Sequence, residues 1–268
     1  MLTKRLIACF DIIGDRVTKA VNFQDNIDVG PAEDLALLMY EEQIDELIFY
    51  DITASAEKRK LNIDTVRRVA KCVFIPFAVG GGIRNLSDMQ EALKAGAEKI
   101  SIDSMAVRNP EIITQGARAF GSQCIVLSTQ VKRTQKSVKI PSGYEVYIDG
   151  ARVATGMDAI DWIKRGQELG AGEICINSID NDGTVSGYDI QLMKLAEEAV
   201  SVPLIASGGA GSPSHLKELF TETASQAAII SSMLYSPRLK RNYRVAELKE
   251  YLLSENINVR PTRIRKEP

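Results

Sequence analysis

Two apolar stretches of the sequence end on polar residues that could face one ligand but differ in chemistry. The run in LIACFDI, residues 6–12, reaches Asp11, and the run in IVLSTQVKR, residues 125–133, reaches Gln130. A carboxylate can accept a proton and return it near neutral pH, whereas a carboxamide makes only hydrogen bonds. Asp11 is therefore a candidate general acid or base, or else a solvated aspartate at a strand end. Gln130 can only position a ligand.

Two glycine turns could each hold a phosphate group. VGGGI at 79–83 and SGGAG at 207–211 would let backbone N–H groups approach an anion. Each turn is paired with hydroxyls at the end of the following strand, Ser104 in the first case and Ser231 with Ser232 in the second. A single glycine turn can be no more than a tight link. Two turns in matched positions predict a ligand with a phosphate at each end.

Two further features could bind an anion, and the sequence shows no pattern that is typical of a metal site. IDNDGT at 179–184 is either an anion-binding turn or an ordinary Asn/Asp-Gly loop. Lys19 could neutralise a phosphate, although it is one of 33 basic residues. The one histidine, His215, opens a predicted surface helix, and the four cysteines contain no C-x-x-C pair. The sequence therefore predicts neither a metal site nor an organic cofactor.

These candidate residues must be positioned by an alternation of strands and helices. The predicted strands are 5–11, 46–51, 74–79, 98–103, 123–129, 173–179, 203–207 and 226–231. The predicted helices include 58–73, 86–96, 108–119, 158–169, 189–200 and 244–254. Eight such units fit an α/β fold of the (β/α)8 TIM-barrel type better than a doubly wound sheet. In that barrel the functional residues lie at the carboxyl ends of the strands.

An internal repeat indicates that the barrel is built from two fused half-barrels. PFAVGGGIRNLSDMQEALKAGAEKISID at 76–103 has the same order of elements as PLIASGGAGSPSHLKELFTETASQAAIIS at 203–231. The stretch 132–156 lacks strong periodicity, and we expect it to be a longer loop of the second half. The prediction is a single barrel domain over residues 1–258, followed by a basic tail at 259–268 that is either a solvated end or a contact with a partner.

Composition narrows the classes of partner. The chain has 268 residues, of which 45% are hydrophobic and 25% charged, and its net charge is −2. This charge argues against nucleic acid or an anionic membrane as the main partner. The sequence contains neither a signal peptide nor a membrane span, so we expect a cytoplasmic protein.

Several motifs together resemble one family. KRLIACFDI, FYDITAS, FAVGGGIR, GSQCIV, ELGAGEICINSIDNDGTVSGYD and IASGGAGS are similar to the cyclase subunit of imidazole glycerol phosphate synthase, the HisF family, from residue 1 to about 258. The resemblance implies a (β/α)8 half-barrel duplication that binds a HisH-like glutaminase at its N-terminal face and receives ammonia through the barrel. It also implies that ammonia cleaves and cyclises a bisphosphorylated nucleotide, giving imidazole glycerol phosphate and an aminoimidazole carboxamide ribotide.

The resemblance assigns roles to individual residues. Asp11 matches one of two catalytic aspartates, and Lys19 matches a substrate-binding lysine. Two phosphate sites match, one at Gly82 and Ser104, the other at Asp182, Gly183, Ser207, Gly208, Ser231 and Ser232. A ring of four charged residues that gates ammonia at the barrel floor matches Arg5, Glu46, Lys99 and Glu173. Gln123 matches a position near the glutaminase interface.

The sequence departs from the family at the barrel mouth. The second catalytic aspartate of the family falls on Gln130, and a neighbouring asparagine falls on Asp103. Because a carboxamide cannot transfer protons, we expect the cyclase reaction to be slowed by about 10²–10⁴-fold.

Three hypotheses for function follow. The main one is a HisF-like paralogue that conducts ammonia from a HisH-like glutaminase to a sugar amidotransferase, which converts acetamido to acetamidino groups in surface-polysaccharide biosynthesis. The first alternative is a cyclase of histidine biosynthesis in which Asp103 or a water replaces the missing carboxylate. The second alternative is a non-catalytic scaffold that activates a glutaminase and binds a phosphorylated small molecule as a regulator.

Overall fold

The computed structural model describes residues 2–21, 24–54, 57, 59–236 and 241–262. These residues form twelve strands, namely β1 (Arg5–Ile13), β2 (Arg16–Val21), β3 (Gln24–Pro31), β4 (Glu46–Asp51), β5 (Phe77–Gly80), β6 (Lys99–Ile102), β7 (Ile125–Arg133), β8 (Tyr144–Ile148), β9 (Val153–Asp158), β10 (Glu173–Ser178), β11 (Leu204–Ser207) and β12 (Ala227–Ile230). They also form ten α-helices, namely α1 (Ala32–Glu41), α2 (Ile63–Cys72), α3 (Leu86–Lys94), α4 (Ser104–Arg108), α5 (Glu111–Phe120), α6 (Ala159–Glu168), α7 (Ile190–Ala199), α8 (Pro213–Glu222), α9 (Ser232–Tyr235) and α10 (Val245–Ser254).

Eight parallel strands close into a barrel in the order β1, β4, β5, β6, β7, β10, β11 and β12. The circle closes where β12 pairs with β1, with Ile229 opposite Ile7. β7 and β10 also pair directly, with Gln130 opposite Asn177. At least one helix connects each barrel strand to the next. The predicted (β/α)8 barrel is therefore confirmed.

Alternation along the barrel strands divides their side chains between two hydrophobic clusters. On β1, Leu6 and Phe10 pack among the surrounding helices, whereas Ile7 and Cys9 face the barrel interior. The same alternation places Arg5 at the floor of the barrel and Asp11 at its mouth. The interior is therefore charged at the floor, mainly apolar in the middle and polar at the mouth.

Side-chain caps determine where two of the helices begin. The Asn62 side chain accepts a hydrogen bond from the Thr65 N–H, and the Asp189 side chain accepts one from the Leu192 N–H. Each cap satisfies an N–H group that has no partner inside its helix. The helix predicted over 58–73 therefore begins only at Ile63, and the helix predicted over 189–200 begins at Ile190.

Two inserted hairpins modify the predicted barrel. The stretch 132–156, expected to be a loop, instead continues β7 to Arg133 and adds the antiparallel strands β8 and β9. A second hairpin, β2 and β3, follows β1 in a region for which no element was predicted. The expected extra length of the second half does lie at 132–156, since the connection 134–158 is longer than its counterpart 14–31, but it forms a hairpin and not an irregular loop.

The two hairpins occupy equivalent places in the two halves. Asp11 of β1 lies opposite Thr18 of β2, and Gln130 of β7 lies opposite Tyr147 of β8. β1 and β7 are four barrel strands apart, as are β5 and β11, which precede the two glycine turns. This correspondence agrees with a barrel made of two fused half-barrels.

The C-terminal segment stays attached to the barrel floor as far as it is described. Val259 is buried and forms an isolated parallel bridge with Lys4. Arg260 donates a hydrogen bond to the Asp45 carboxylate at 3.0 Å. The expectation of a solvated tail is therefore wrong at Val259, whose side chain packs against the barrel. Residues 263–268 of the predicted tail lie outside the described residues. Among the helices that the structure describes, none is long and apolar enough to cross a membrane.

Candidate active site

Asp11, Lys19 and Ser231 come together on one side of the barrel mouth. Lys19 on β2 donates a hydrogen bond from Nζ to the Ser231 hydroxyl at 2.8 Å, and the same Nζ lies 3.9 Å from the Asp11 carboxylate. Burial raises the pKa of Asp11, while the Lys19 charge opposes the rise and the Asp182 charge adds to it. The hairpin β2–β3 therefore brings a buried cation over a carboxyl group that holds its proton more tightly than usual.

A chain of amide hydrogen bonds runs around the opposite side of the mouth. The Asn177 side chain donates from Nδ2 to Gln130 Oε1 at 2.8 Å, and the same nitrogen lies 3.4 Å from the Asp182 carboxylate. Asp103 follows Lys99 and Ser101 in the interior-facing alternation of β6, and Gln130 follows Val126 and Ser128 in that of the neighbouring strand β7, so the two side chains lie side by side at the mouth. Burial raises the pKa of the Asp103 carboxyl, and hydrogen bonding by Gln130 lowers it in part. Because Gln130 presents its carbonyl oxygen to Asn177, its NH2 group is left to donate to the Asp103 carboxyl.

The carboxyl group at the end of this chain has a strongly raised pKa. Burial raises the pKa of Asp103 from 3.8 to about 7, against the opposing effect of the hydrogen bond from Gln130. The nearby Asp149 charge adds to the rise, and the Arg108 charge opposes it. A group with this pKa changes its protonation state close to neutral pH.

The residues of the first predicted phosphate site lie where β5 and β6 end. Gly82 has φ +70°, and a side chain there would meet the Leu61 backbone nitrogen at 2.8 Å. Glycine is required at this position for conformation as well as for space. Ser104 is buried, and its hydroxyl accepts a hydrogen bond from the Asp149 N–H at 2.9 Å. The turn between β8 and β9 therefore reaches over this side of the mouth.

The second predicted phosphate set spans three neighbouring barrel strands. Gly183 and Gly208 have φ values of +73° and +93°. A side chain at Gly208 would meet the Ser178 carbonyl oxygen at 2.7 Å, so the backbone passes close to β10. The residues of this second set lie at or just after the ends of β10, β11 and β12, namely Asp182, Gly183, Ser207, Gly208, Ser231 and Ser232. The structure thus places the two predicted sites on opposite sides of the barrel mouth.

The four residues predicted to form a charged ring do so at the barrel floor. Glu46 accepts hydrogen bonds from Arg5 at 2.6 Å and from Lys99 at 2.7 Å. Glu173 lies 3.0 Å from each of the same two cations. Charges alternate around the ring, so each acid neutralises both bases. The side chain of Glu46 is 4% exposed, and the other three are 13–25% exposed.

Tyr50 lies across the interior between the ring and the mouth. Its hydroxyl lies 3.2 Å from Ser101 Oγ and 3.4 Å from Ser128 Oγ, on strands β6 and β7. A side chain at Gly80, on the intervening strand β5, would come within 2.8 Å of the Tyr50 ring. Gly80 therefore leaves the space that the ring occupies.

Three residues that shape the candidate site were not identified from the sequence. Asn177 orients Gln130, the Asp149 N–H binds Ser104, and Tyr50 divides the interior. The alternation Glu173, Cys175, Asn177 along β10 was a signal that could have identified Asn177. In the part of the chain that the structure describes, no group of three or more His, Cys, Asp or Glu side chains could hold a metal ion.

Comparison with known proteins gives one consistent result. A family model described as histidine biosynthesis protein matches residues 5–240. The chain is 53% identical over 260 residues to a protein of Desulfatibacillum aliphaticivorans, covering 97% of this chain and 98% of that protein. It is 52% identical over 260 residues to a protein of Desulfosudis oleivorans (97% and 99% covered) and 50% identical over 262 residues to one of Syntrophobacter fumaroxidans (98% and 100%). All three are named imidazole glycerol phosphate synthase subunit HisF.

These similarities correct the main functional hypothesis. Relatives that are 50–53% identical over nearly the whole chain are named as subunits of imidazole glycerol phosphate synthase, and the matching family model is described as histidine biosynthesis protein. The hypothesis of ammonia delivery to a sugar amidotransferase is therefore wrong, and the surface-polysaccharide partner has no support. It had rested on Gln130, and one substitution at the mouth does not place a chain outside its family. The chain belongs to the HisF family of imidazole glycerol phosphate synthase subunits.

Proposed function

We propose that this chain is the cyclase subunit of an imidazole glycerol phosphate synthase that acts in histidine biosynthesis. The observation that carries the proposal is the similarity to proteins named as that subunit over 97–98% of this chain. In the proposed reaction, ammonia and a bisphosphorylated nucleotide give imidazole glycerol phosphate and an aminoimidazole carboxamide ribotide.

The barrel mouth supports this chemistry. A ligand with phosphates at both ends would lie between the Gly82–Ser104 site and the set that contains Ser231. Lys19, which already contacts Ser231, would partly neutralise the charge of one phosphate. Asp11 would then face the middle of the ligand, and its raised pKa suits a group that donates as well as accepts a proton.

The floor of the barrel supports a partner that supplies ammonia. In the proposed assembly a HisH-like glutaminase binds the N-terminal face, and ammonia enters past the ring of Arg5, Glu46, Lys99 and Glu173. Apolar surface is available at this face, since Phe74 and Leu2 are 78% and 87% exposed just before the strands β5 and β1. Gln123, also exposed, precedes β7 on the same face. Exposed aromatic residues are typical of a protein–protein contact.

Turnover with free ammonia tests the proposal directly. Purified wild-type chain is mixed with an ammonium salt and the bisphosphorylated nucleotide, and formation of imidazole glycerol phosphate is followed. We expect turnover that Asp11→Asn reduces by about 10²–10⁴-fold, because that substitution removes a proton-transfer group. Asp64→Asn serves as a matched control, since this side chain is 78% exposed on α2.

Addition of a HisH-like glutaminase distinguishes the remaining alternative. A cyclase subunit should couple glutamine hydrolysis to product formation, whereas a non-catalytic scaffold would stimulate hydrolysis without any product. Stimulated hydrolysis with no turnover from free ammonia would refute the proposed function.

A further inference from the structure

In the second half of the barrel, the position equivalent to Asp11 carries an amide and not a carboxylate. Gln130 is the counterpart of Asp11, because each lies on a barrel strand just before an inserted hairpin. An amide cannot exchange protons, so a reaction that needs two proton-transfer groups must find the second one elsewhere.

Among the described aspartates near the mouth other than Asp11, Asp149 is paired with Arg108, and Asp182 lies against the Asn177 amide within the second predicted phosphate set. Asp103 is better placed to transfer a proton than the others that remain. Asp51 is held by Arg59, whose two terminal nitrogens lie 2.6 and 2.7 Å from its oxygens, so it remains an ion-pair partner. Asp180 accepts the Arg133 N–H at 2.8 Å, at the last residue of β7. No salt bridge to Asp103 occurs among the described residues. Its carboxyl is therefore not committed to a cation.

Asp103 also has the right neighbours. It ends β6 directly before Ser104 and beside the Gly82 turn, so it would face the ligand close to one phosphate site. Gln130 lies beside it on the neighbouring strand β7 and faces the interior as Asp103 does. The Asp149 charge acts on it from the β8–β9 turn and the Arg108 charge from α4. The Cys175 thiol approaches from β10.

We propose that Asp103 is the second proton-transfer residue of the mouth, and that Gln130 is a positioning residue that holds it. The inference rests on the proposed function. In the reaction, ammonia forms a bond to the ligand and its nitrogen must then lose a proton, which the Asp103 carboxylate takes. The resulting acid gives this proton to the group that leaves when the ligand is cleaved, so the carboxylate is regenerated and no other reactant is needed. Asp11 performs the complementary transfer from the other side of the mouth.

The hydrogen-bond chain explains how Gln130 can act without exchanging protons. Asn177 must present its NH2 group to the Asp182 carboxylate, so the same group can also donate to Gln130 Oε1. This fixes the Gln130 NH2 towards Asp103, where it stabilises the carboxylate form. Burial favours the acid form, and the balance leaves the pKa of Asp103 at about 7. A proton-transfer group is most effective when its pKa is near the working pH.

Four variants test the inference with free ammonia as the nitrogen source. We expect Asp103→Asn to lower kcat by about 10²–10⁴-fold, while the KM for the nucleotide changes much less. The exchange variant Asp103→Asn/Gln130→Asp restores one carboxylate to the pair and should recover most of the lost rate. Gln130→Met keeps the shape but removes the donor, so the acid limb of the pH–rate profile should move to higher pH by about one unit. Asp64→Asn should match wild type.

The outcomes separate the inference from the proposed function. If wild type turns over and the kcat of Asp103→Asn is within threefold of the wild-type value, the inference is overturned and the proposed function stands. Turnover by the exchange variant but not by wild type would also overturn it, since Asp103 would then be unable to replace the lost aspartate. Turnover by neither protein would refute the proposed function, and the inference with it. An acid limb that Gln130→Met does not move would remove the positioning role of Gln130.

Discussion

Replacing Asp103 by asparagine should stabilise the protein in a pH-dependent way. Burial raises the pKa of Asp103 from 3.8 to about 7 in the folded state, whereas the unfolded chain keeps the ordinary value. Between these two values the folded protein binds the proton that the unfolded protein has lost. Wild-type stability therefore falls as pH rises from about 4 to about 7, and the full cost persists above 7. Asparagine does not ionise and avoids this cost.

The size of the effect follows from the same two values. One pKa unit corresponds to about 1.4 kcal/mol, so the raised pKa of Asp103 costs at most about 4 kcal/mol above pH 7. Between pH 5 and pH 8 the cost increases by at most about 3 kcal/mol, and screening by solvent at the half-buried mouth reduces it. We expect the advantage of Asp103→Asn over wild type to grow by about 1.5–3 kcal/mol across this interval.

Urea unfolding at pH 5, 6, 7 and 8 measures this difference without a substrate. Wild type and Asp103→Asn are compared at each pH, with Asp64→Asn as the control for removal of an exposed aspartate charge. The free energy of unfolding of the control should differ from that of wild type by less than about 0.5 kcal/mol, and by the same amount at each pH. If the difference between Asp103→Asn and wild type is equally flat from pH 5 to pH 8, the carboxyl is not desolvated as the structure implies.

Three further substitutions test the packing that positions the site, each by urea unfolding at pH 7. Glu46→Gln should lower the free energy of unfolding by about 2–4 kcal/mol. This loss should exceed that of Glu173→Gln, because Glu46 is the more buried acid of the ring, and equal losses would contradict the prediction. Gly80→Ala should cost about 1–3 kcal/mol by forcing the Tyr50 ring aside. Combining it with Tyr50→Leu should recover at least about 1 kcal/mol, and strict additivity would count against the contact. Asp189→Ala removes the cap of α7 and a partner of the β7–β8 hairpin, so a loss of about 2–4 kcal/mol is expected, and a loss below 1 would show that neither role matters.

The barrel was predictable because its signals are local. Each strand shows an apolar run and each helix a 3.6-residue period, and eight repeats of that order admit few folds. The β8–β9 hairpin was missed although YEVYI alternates as a strand should, with Tyr144, Val146 and Ile148 buried. Its signal was hidden among the charged residues that surround it. The β2–β3 hairpin has a weaker pattern and depends on pairing with β1.

The members of the site were easier to predict than their contacts. The types of residue at the strand ends identified Asp11, Ser104 and Ser231 as candidates. The bond between Lys19 and Ser231 joins residues 212 positions apart, and only the closure of the barrel brings them together. The pKa of Asp103 likewise depends on burial by neighbouring elements. Neither can be deduced from spacing along the chain.

The pair formed by positions 103 and 130 explains why the carboxylate can change places. If both positions carried a carboxylate in direct contact, the two would repel each other and one would stay protonated. If both carried an amide, Asp11 would be the single proton-transfer group considered at the mouth. One carboxylate and one amide form a hydrogen bond and keep one exchangeable proton, whichever of the two strands carries the acid. The family arrangement implied by the resemblance, with the acid at 130 and the amide at 103, and the arrangement observed here satisfy the same condition. The Gln130 side chain lies beside Asp103 on the neighbouring strand, while its carbonyl oxygen accepts the hydrogen bond from Asn177. The substitution at Gln130 is therefore compatible with a working cyclase, provided that Asp103 and Gln130 are considered as one unit.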